Sequence, residues 1–412
     1  MTDLKRHDLT DVIQKIPKTD LHCHLDGSIR PATLIELSRT EKIDLPSFTE
    51  DGLNQTLFRD SYPNLEAYLN TFEYSCAVMQ KPEYLERIAY ELCLDAEQEG
   101  VRYIEVRFAP QLHVNDRMNM KQVLQSVNRG LFRAKMEMNQ KSGVKSGKLP
   151  PFQYGIIVCA LRSIGPYSRY YKHFIDSFSF SDSRTVAGLC SLELARAAVR
   201  IRDDEGIPIV GFDLAGAEAG NPAKDHIDAF RYVHEHFMSK TVHAGEAYGA
   251  ASIFQAITEL NADRIGHGYY LYDESKISNA AIADKRKYIY SLSQYIANHR
   301  VTIEVCLTSN LQTNPDIQNL KNHRFTDMLE HGLSTTFCTD NRTVSKTTVT
   351  QEILLALNHF DIGPDQLKNI IIYGFKRSFY PGPYLEKRRY VRQCIDYYEQ
   401  LVKGTVLDPA QK

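Results

Sequence analysis

The chain carries almost no net charge: 49 Lys and Arg stand against 51 Asp and Glu, a formal −2 over 412 residues. So even a balance offers no long-range attraction to nucleic acid or to an anionic membrane surface. The most basic local run, Lys387-Arg388-Arg389 with Arg392, falls in a helical pattern and reads as a solvated helix face. No stretch approaches the ~18–20 uninterrupted apolar residues of a membrane span. The opening Met1-Thr2-Asp3-Leu4-Lys5-Arg6 is charged, and no apolar leader-like run comes before Lys18. None of the eight cysteines forms a CxxC, and Cys23, Cys159, Cys306 and Cys338 lie in apolar runs where free thiols serve as buried filler. This usage excludes a disulfide scaffold and points to a reducing compartment, the cytoplasm. No GxGxxG or GxxxxGK(S/T) loop follows any strand-like run, which argues against a doubly wound nucleotide-binding sheet. Internal repeats are absent, and nothing in the sequence fixes an oligomeric state.

What remains is ordinary globular composition, 43% hydrophobic and 24% charged. Short β-branched apolar runs recur at Lys18–His22, Val101–Phe108, Tyr154–Leu161, Ile209–Leu214, Lys240–His243, Asp263–His267, Thr302–Leu307 and Ser334–Thr339, eight in all. Between them the period becomes helical. Leu85, Ile88, Ala89, Leu92 and Ala96 share one helix face, with Gly100 placed as its stop; Ile253, Ala256, Ile257 and Leu260 repeat the pattern after the fifth run. Strands alternating with helices imply a parallel sheet, and eight such units favour closure into a single (β/α)8 TIM barrel over residues 1–412. Two stretches break the repeat. The interval after strand 1 is long, and its 40–74 part reads as a helical insertion forming a lid over the barrel mouth. Residues 139–151 hold Lys, Ser, Gly and Pro without apolar periodicity and read as an exposed loop.

The chemistry gathers at the carboxyl ends of these strands, where barrel enzymes assemble their sites. The first run leads into Asp20-Leu21-His22-Cys23-His24-Leu25-Asp26-Gly27-Ser28. Residues two apart on a strand face the same side, so His22 and His24 present two imidazoles to one point. The fifth run adds His243-Ala244-Gly245-Glu246, the sixth ends Gly266-His267-Gly268, and the eighth ends Thr339-Asp340-Asn341. Three histidines and an aspartate around an open position would suit Zn²⁺. Taken singly, a histidine between glycines can be structural and Asp-Asn can cap a helix. Four separate strand ends that terminate in one chemical set favour a site. His113, His173, His226, His234, His236 and His323 are assigned to the surface or to caps.

Five segments, taken in order, resemble the adenosine/AMP deaminase family: Lys18–Ser28, Gly211–Gly216, Val242–Glu246, Arg264–Gly268 and Thr339–Asn341. The resemblance implies that His22, His24, His243 and Asp340 hold one Zn²⁺. It implies that Glu246, His267 and Asp340 serve hydrolytic deamination at purine C6 by zinc-activated hydroxide. Glu246 would give a proton to N1, which requires it to be protonated in a poorly hydrated site. Gly216 would meet N3 through its N–H, and Asp26 would accept from the ribose hydroxyls. The partner implied is a small purine nucleoside, adenosine and with it 2′-deoxyadenosine. Leu25-Asp26-Gly27 is typical of adenosine enzymes, whereas relatives acting on adenine, AMP or N6-substituted purines are the alternatives. One position departs: many members carry a second aspartate where this chain has Asn341, whose amide donates to N7 without needing a proton.

Other zinc chemistries fit less well. Two-metal barrel hydrolases use a carboxylated lysine at the fourth strand, which here ends Asp213-Leu214-Ala215-Gly216. Cytidine-type deaminases use HxE with PCxxC, and this chain has no such cysteine pair. A catalytically idle binding barrel would be expected to have a broken ligand set, and this one is intact.

Overall fold

The computed structural model describes residues 3–314 and 319–409, so Met1 and Thr2 of the charged opening lie outside the described residues. Eight strands follow one another around the sheet in chain order, every neighbouring pair parallel. They are β1 Lys18–His24, β2 Val101–Phe108, β3 Gln153–Leu161, β4 Ile209–Ala215, β5 Ser239–Ala244, β6 Arg264–His267, β7 Thr302–Val305 and β8 Ser334–Phe337. A parallel bridge between Cys23 and Asp340 brings the end of β8 back to β1. The architecture is an α/β barrel of the TIM type. Every residue of β2 is buried, as a strand covered on both faces must be.

The strands match the apolar runs with shifts at their ends. β1 extends to His24, while β7 and β8 stop at Val305 and Phe337, short of Leu307 and Thr339. The helix Pro82–Gln98 buries Leu85, Ile88, Ala89, Leu92 and Ala96 and ends before Gly100. The next predicted face is shorter than its pattern: the helix Ala250–Thr258 has ended before Leu260, which is buried in the following turn. Five helices lie between β1 and β2: Pro31–Glu41, Glu50–Thr56, Leu65–Leu69, Phe72–Val78 and the Pro82–Gln98 helix. Thr49 and Asn64 cap the second and third of these through their side chains. Residues 139–151 are less irregular than expected, since Ser142–Lys145 forms a helical turn. Asn139 pins both ends of this segment by bonding the N–H and C=O of Phe152.

The barrel interior is not simply apolar. Arg264 on β6 bonds Glu105 on β2 and Glu304 on β7 and lies 3.6 Å from the Phe379 ring centroid. Ion pairs buried this deeply persist only with nearly all their hydrogen bonds made. They form the floor on which the site above rests. Among the described residues no helix is long and apolar enough to cross a membrane. In the C-terminal helix Tyr384–Val402, Arg388, Arg389 and Arg392 are exposed as expected. Lys387 is partly buried instead and bonds the Ser378 carbonyl.

Candidate active site

His22, His243, His267 and Asp340 each present one ligand atom, all within 4.8 Å of one another. His24 joins them, its Nε2 lying 3.2 Å from His243 Nε2 and 3.5 Å from Asp340 Oδ1. The backbone fixes this cluster. Asp340 donates its N–H to His22 O and accepts the His24 N–H, at 2.8 and 2.7 Å. His267 and Asp340 sit at φ 65° and 59°, the left-handed region. Such residues cost on the order of 1–3 kcal/mol each and concentrate where a side chain must be aimed.

The far ring nitrogens decide what the near ones can do. His22 Nδ1 lies 2.8 Å from Glu304 Oε2, and His243 Nδ1 lies 3.1 Å from Asp213 Oδ2. Burial opposes ionisation of both carboxyls, but Arg107 and Arg264 hold Glu304, and His243 and Arg107 hold Asp213, well below the ordinary carboxylate range. Each carboxylate therefore accepts from Nδ1–H and leaves the Nε2 lone pair facing the cluster. His267 is the opposite case. The Phe325 backbone N–H donates to His323 Nδ1, so neutral His323 carries its proton on Nε2 and donates it to Asn310 Oδ1, 3.3 Å away. Burial keeps His323 neutral by drawing its pKa down to about 3. That orients the Asn310 amide, whose Nδ2 donates to His267 Nδ1 at 3.1 Å. His267 then bears its proton on Nε2 and is a donor toward the cluster. His22 and His243 are suited to a cation; His267 is suited to a ligand's oxygen.

The donor set fits a divalent metal. His22 Nε2 is fully buried without a hydrogen-bond partner. Asp340 is ionised: burial opposes this, but His22, whose Nε2 lies 3.3 Å from Asp340 Oδ1, and the nearby His267 and His24 hold its carboxyl well below the ordinary range. Its other oxygen accepts from Ser309 at 2.6 Å. Imidazole and carboxylate around one buried point are zinc-type ligands.

Glu246 Oε1 lies 3.8 Å from His267 Nε2. Burial, with Asp340 and Glu218 nearby, raises its carboxyl to about 8. It borders a cavity of ≈ 350 Å³ whose walls include Leu65 and Glu66, Tyr270 and Asn314. Burial likewise raises Asp26 to about 7, and its Oδ1 has no hydrogen-bond partner. Gly216 sits at φ +92°, and a Cβ there would meet only ordinary contacts, 3.7 Å to Arg162 N and 4.0 Å to Leu161 Cδ2, so its backbone conformation, not crowding, calls for glycine there. Asn341 is buried with Nδ2 donating to Tyr68 Oη at 2.7 Å, which ties the 40–74 insertion to this wall.

Several residues here carry no motif. Arg107 Nη1 and Nη2 bond Asp213 and Glu304 at 3.0 and 2.9 Å, so one guanidinium serves the carboxylate partners of two histidines. A charge set in an apolar strand run is the signal that could have marked Glu304, alone in its run, and Arg107, which shares its run with Arg102 and Glu105. Ser309, Asn310 and Glu218 lie on loops and helix starts and leave no such mark. Of the histidines assigned to the surface or to caps, His226 stands at the N-cap of the helix Ile227–Glu235 and His323 accepts the Phe325 N–H at the start of the helix Phe325–Glu330, but both are fully buried, as is His113, each with a side-chain partner.

The fold and the donor set define an α/β barrel with a buried imidazole–carboxylate group able to hold a metal ion at the carboxyl ends of its strands. Within that class, a family profile described as adenosine deaminase matches residues 17–167 and 180–397. The adenosine deaminase of Mycobacterium avium (strain 104) is 34% identical over 373 residues, 90% of this chain and 92% of that one. The chain belongs to the adenosine deaminase family, whose members at this similarity support deamination of adenosine-type purines. Solved structures that share its fold include two deaminases. One is an adenine deaminase from Arthrobacter aurescens, with TM-score 0.71 and 19% identity, covering 93% of this chain and 99% of that one. The other is the N6-methyl-AMP deaminase from Arabidopsis thaliana, with TM-score 0.71 and 22% identity, covering 94% and 98%.

Proposed function

We propose that the chain hydrolyses adenosine, and 2′-deoxyadenosine with it, to the inosine nucleoside and ammonia, with one Zn²⁺ held by His22, His24, His243 and Asp340. The observation that carries this reading is Glu246, a buried carboxyl raised to about 8 beside the histidine cluster. A carboxyl still protonated at neutral pH can hand a proton to purine N1. When bound, the ion supplies Lewis acidity that brings the pKa of water toward neutrality.

The chain's own residues supply the rest. Glu246 protonates N1 as water's oxygen adds to C6, so that charge does not build up on the ring. His267 donates Nε2–H to the attacking oxygen and holds it in line, while Asp340, fixed by Ser309, faces it from the other side. One proton of the water restores the Glu246 carboxyl and the other passes from the new C6 hydroxyl to the amine, so that the C6–N6 bond breaks and ammonia leaves. Gly216 offers its N–H to N3, Asn341 faces N7, and Asp26 accepts from the ribose. A 5′-phosphate would bring a second anion toward the Asp26 carboxylate, which favours nucleoside over nucleotide. The eight free cysteines support a cytoplasmic setting.

Glu246→Gln tests the reading, because it keeps the shape and removes the proton. Turnover of adenosine should fall by at least 10²–10⁴-fold, the usual contribution of a general acid, with metal content unchanged. Activity within tenfold of the parent would reject Glu246 as proton donor.

A further inference from the structure

Glu218 has no part in the reaction as set out above, yet it is buried and its carboxylate is surrounded by donors. Oε1 accepts the Gly245 N–H at 3.0 Å and the Ser252 hydroxyl. Oε2 accepts the N–H groups of Glu246, Ala247 and Tyr248 at 3.1, 2.7 and 2.8 Å. Four successive backbone donors thus converge on one side chain from another loop. Residues 245–248 form neither helix nor strand, so no regular ladder takes these groups. Buried N–H groups left unbonded would destabilise this conformation, and charge-assisted bonds to a carboxylate are among the stronger replacements.

The geometry points to Glu218 as a positioning residue for the reaction. It holds the 245–248 turn in the conformation that aims the Glu246 side chain at the cluster. This rests on the reading of Glu246 as the proton donor.

Its place in the chain strengthens the inference. Glu218 follows Gly216 by two residues, so the loop that offers an N–H to purine N3 is tied to the loop that offers a proton to N1. N1 and N3 flank one carbon of the same ring, and the two protein groups must keep a fixed separation to meet both. Two more bonds lace these loops together: Gly220 N–H donates to Tyr248 Oη at 2.6 Å, and Arg162 spans Asn221 O and His243 O at 2.6 and 2.7 Å. Of these three side chains, Glu218 is the one that bonds the backbone of Glu246 itself.

The test is amide hydrogen exchange on the metal-loaded protein, followed in a peptide spanning 244–252, together with the kinetics of Glu218→Gln. In the parent the 245–248 amides should exchange slowly despite lying in a loop. In Glu218→Gln they should exchange markedly faster. The variant's kcat on adenosine should fall roughly 10- to 100-fold, the scale of an ångström-sized misplacement of a reacting group. KM should stay within about threefold and metal content should not change. Rapid exchange of these amides in the parent overturns the proposal even if the variant fails to fold. An unchanged kcat, a KM that rises in proportion, or loss of metal in the variant also overturns it. Failure of the proton-donor reading itself is seen separately, as an active Glu246→Gln enzyme.

Discussion

Replacing Arg107 with methionine removes one charge and leaves a side chain of similar length in a fully buried position. Its guanidinium bonds Asp213, Glu304 and the Leu21 carbonyl, the last at 2.6 Å. Glu304 keeps Arg264 as a cation, so the uncompensated charge falls on Asp213. Asp213 would be left with His243, the Cys159 thiol and its neighbour's N–H at Leu214. Breaking a buried pair from one side costs about 3–5 kcal/mol. That is a large share of the roughly 5–15 kcal/mol that holds a typical domain folded. For a chain of this size we expect Tm to fall by about 3–6 °C. Asp213 and Glu304 orient His243 and His22, so zinc affinity should fall about 10- to 100-fold as well. Thermal unfolding and a competitive chelator titration read the two effects. Adding Asp213→Asn to Arg107→Met should recover part of the stability, because it removes the stranded charge. A single variant with Tm within 2 °C of the parent and unchanged metal affinity would refute the reasoning.

Two further perturbations probe the substrate side. A Cβ added at Gly27 would stand 1.8 Å from Asn341 Oδ1 and 2.5 Å from its Cγ; Gly27→Ala should therefore displace Asn341 and raise KM about tenfold, an overpacking cost of ~1–3 kcal/mol, while metal content stays full. An unchanged KM would remove Asn341 from the purine pocket. The pH profile follows from two raised carboxyls. Asp26 accepts best when ionised, so kcat/KM should climb as pH rises through about 7. Glu246 acts only when protonated, so kcat/KM should fall as pH rises through about 8. Activity that keeps rising beyond pH 9 would contradict the acid role of Glu246.

The barrel was legible because its strands are short β-branched runs and because histidines and an aspartate end four of them. What the sequence could not show is which nitrogen of each histidine faces inward. That depends on Glu304, Asp213 and Asn310, which come from other strands and loops and meet the rings only after closure. His22 and His267 look alike as strand-end histidines; the carboxylate behind one and the amide behind the other set them apart. Glu218 was hidden for the same reason, since its partners are backbone groups about 30 residues downstream. His113, His226 and His323 are buried against Gln80, Ser191 and Asn310, which lie 33, 35 and 13 residues away in the chain, so their burial left no local mark. The end shifts in β7 and β8 arise where buried residues continue past the strand, Leu307 into the helix Leu307–Thr313 and Cys338-Thr339 toward Asp340.

The central claim is a metal-dependent deaminase selective for nucleosides. The most direct measurement follows ultraviolet absorbance with purified protein and adenosine, 2′-deoxyadenosine, adenine or AMP, each with and without a chelator. We predict rapid conversion of the two nucleosides, abolished by the chelator and restored by zinc, with adenine and AMP slower by a factor of 10² or more. Conversion that survives full metal removal, or no conversion of either nucleoside, would contradict the account. A preference for adenine or AMP would contradict the role given to Asp26.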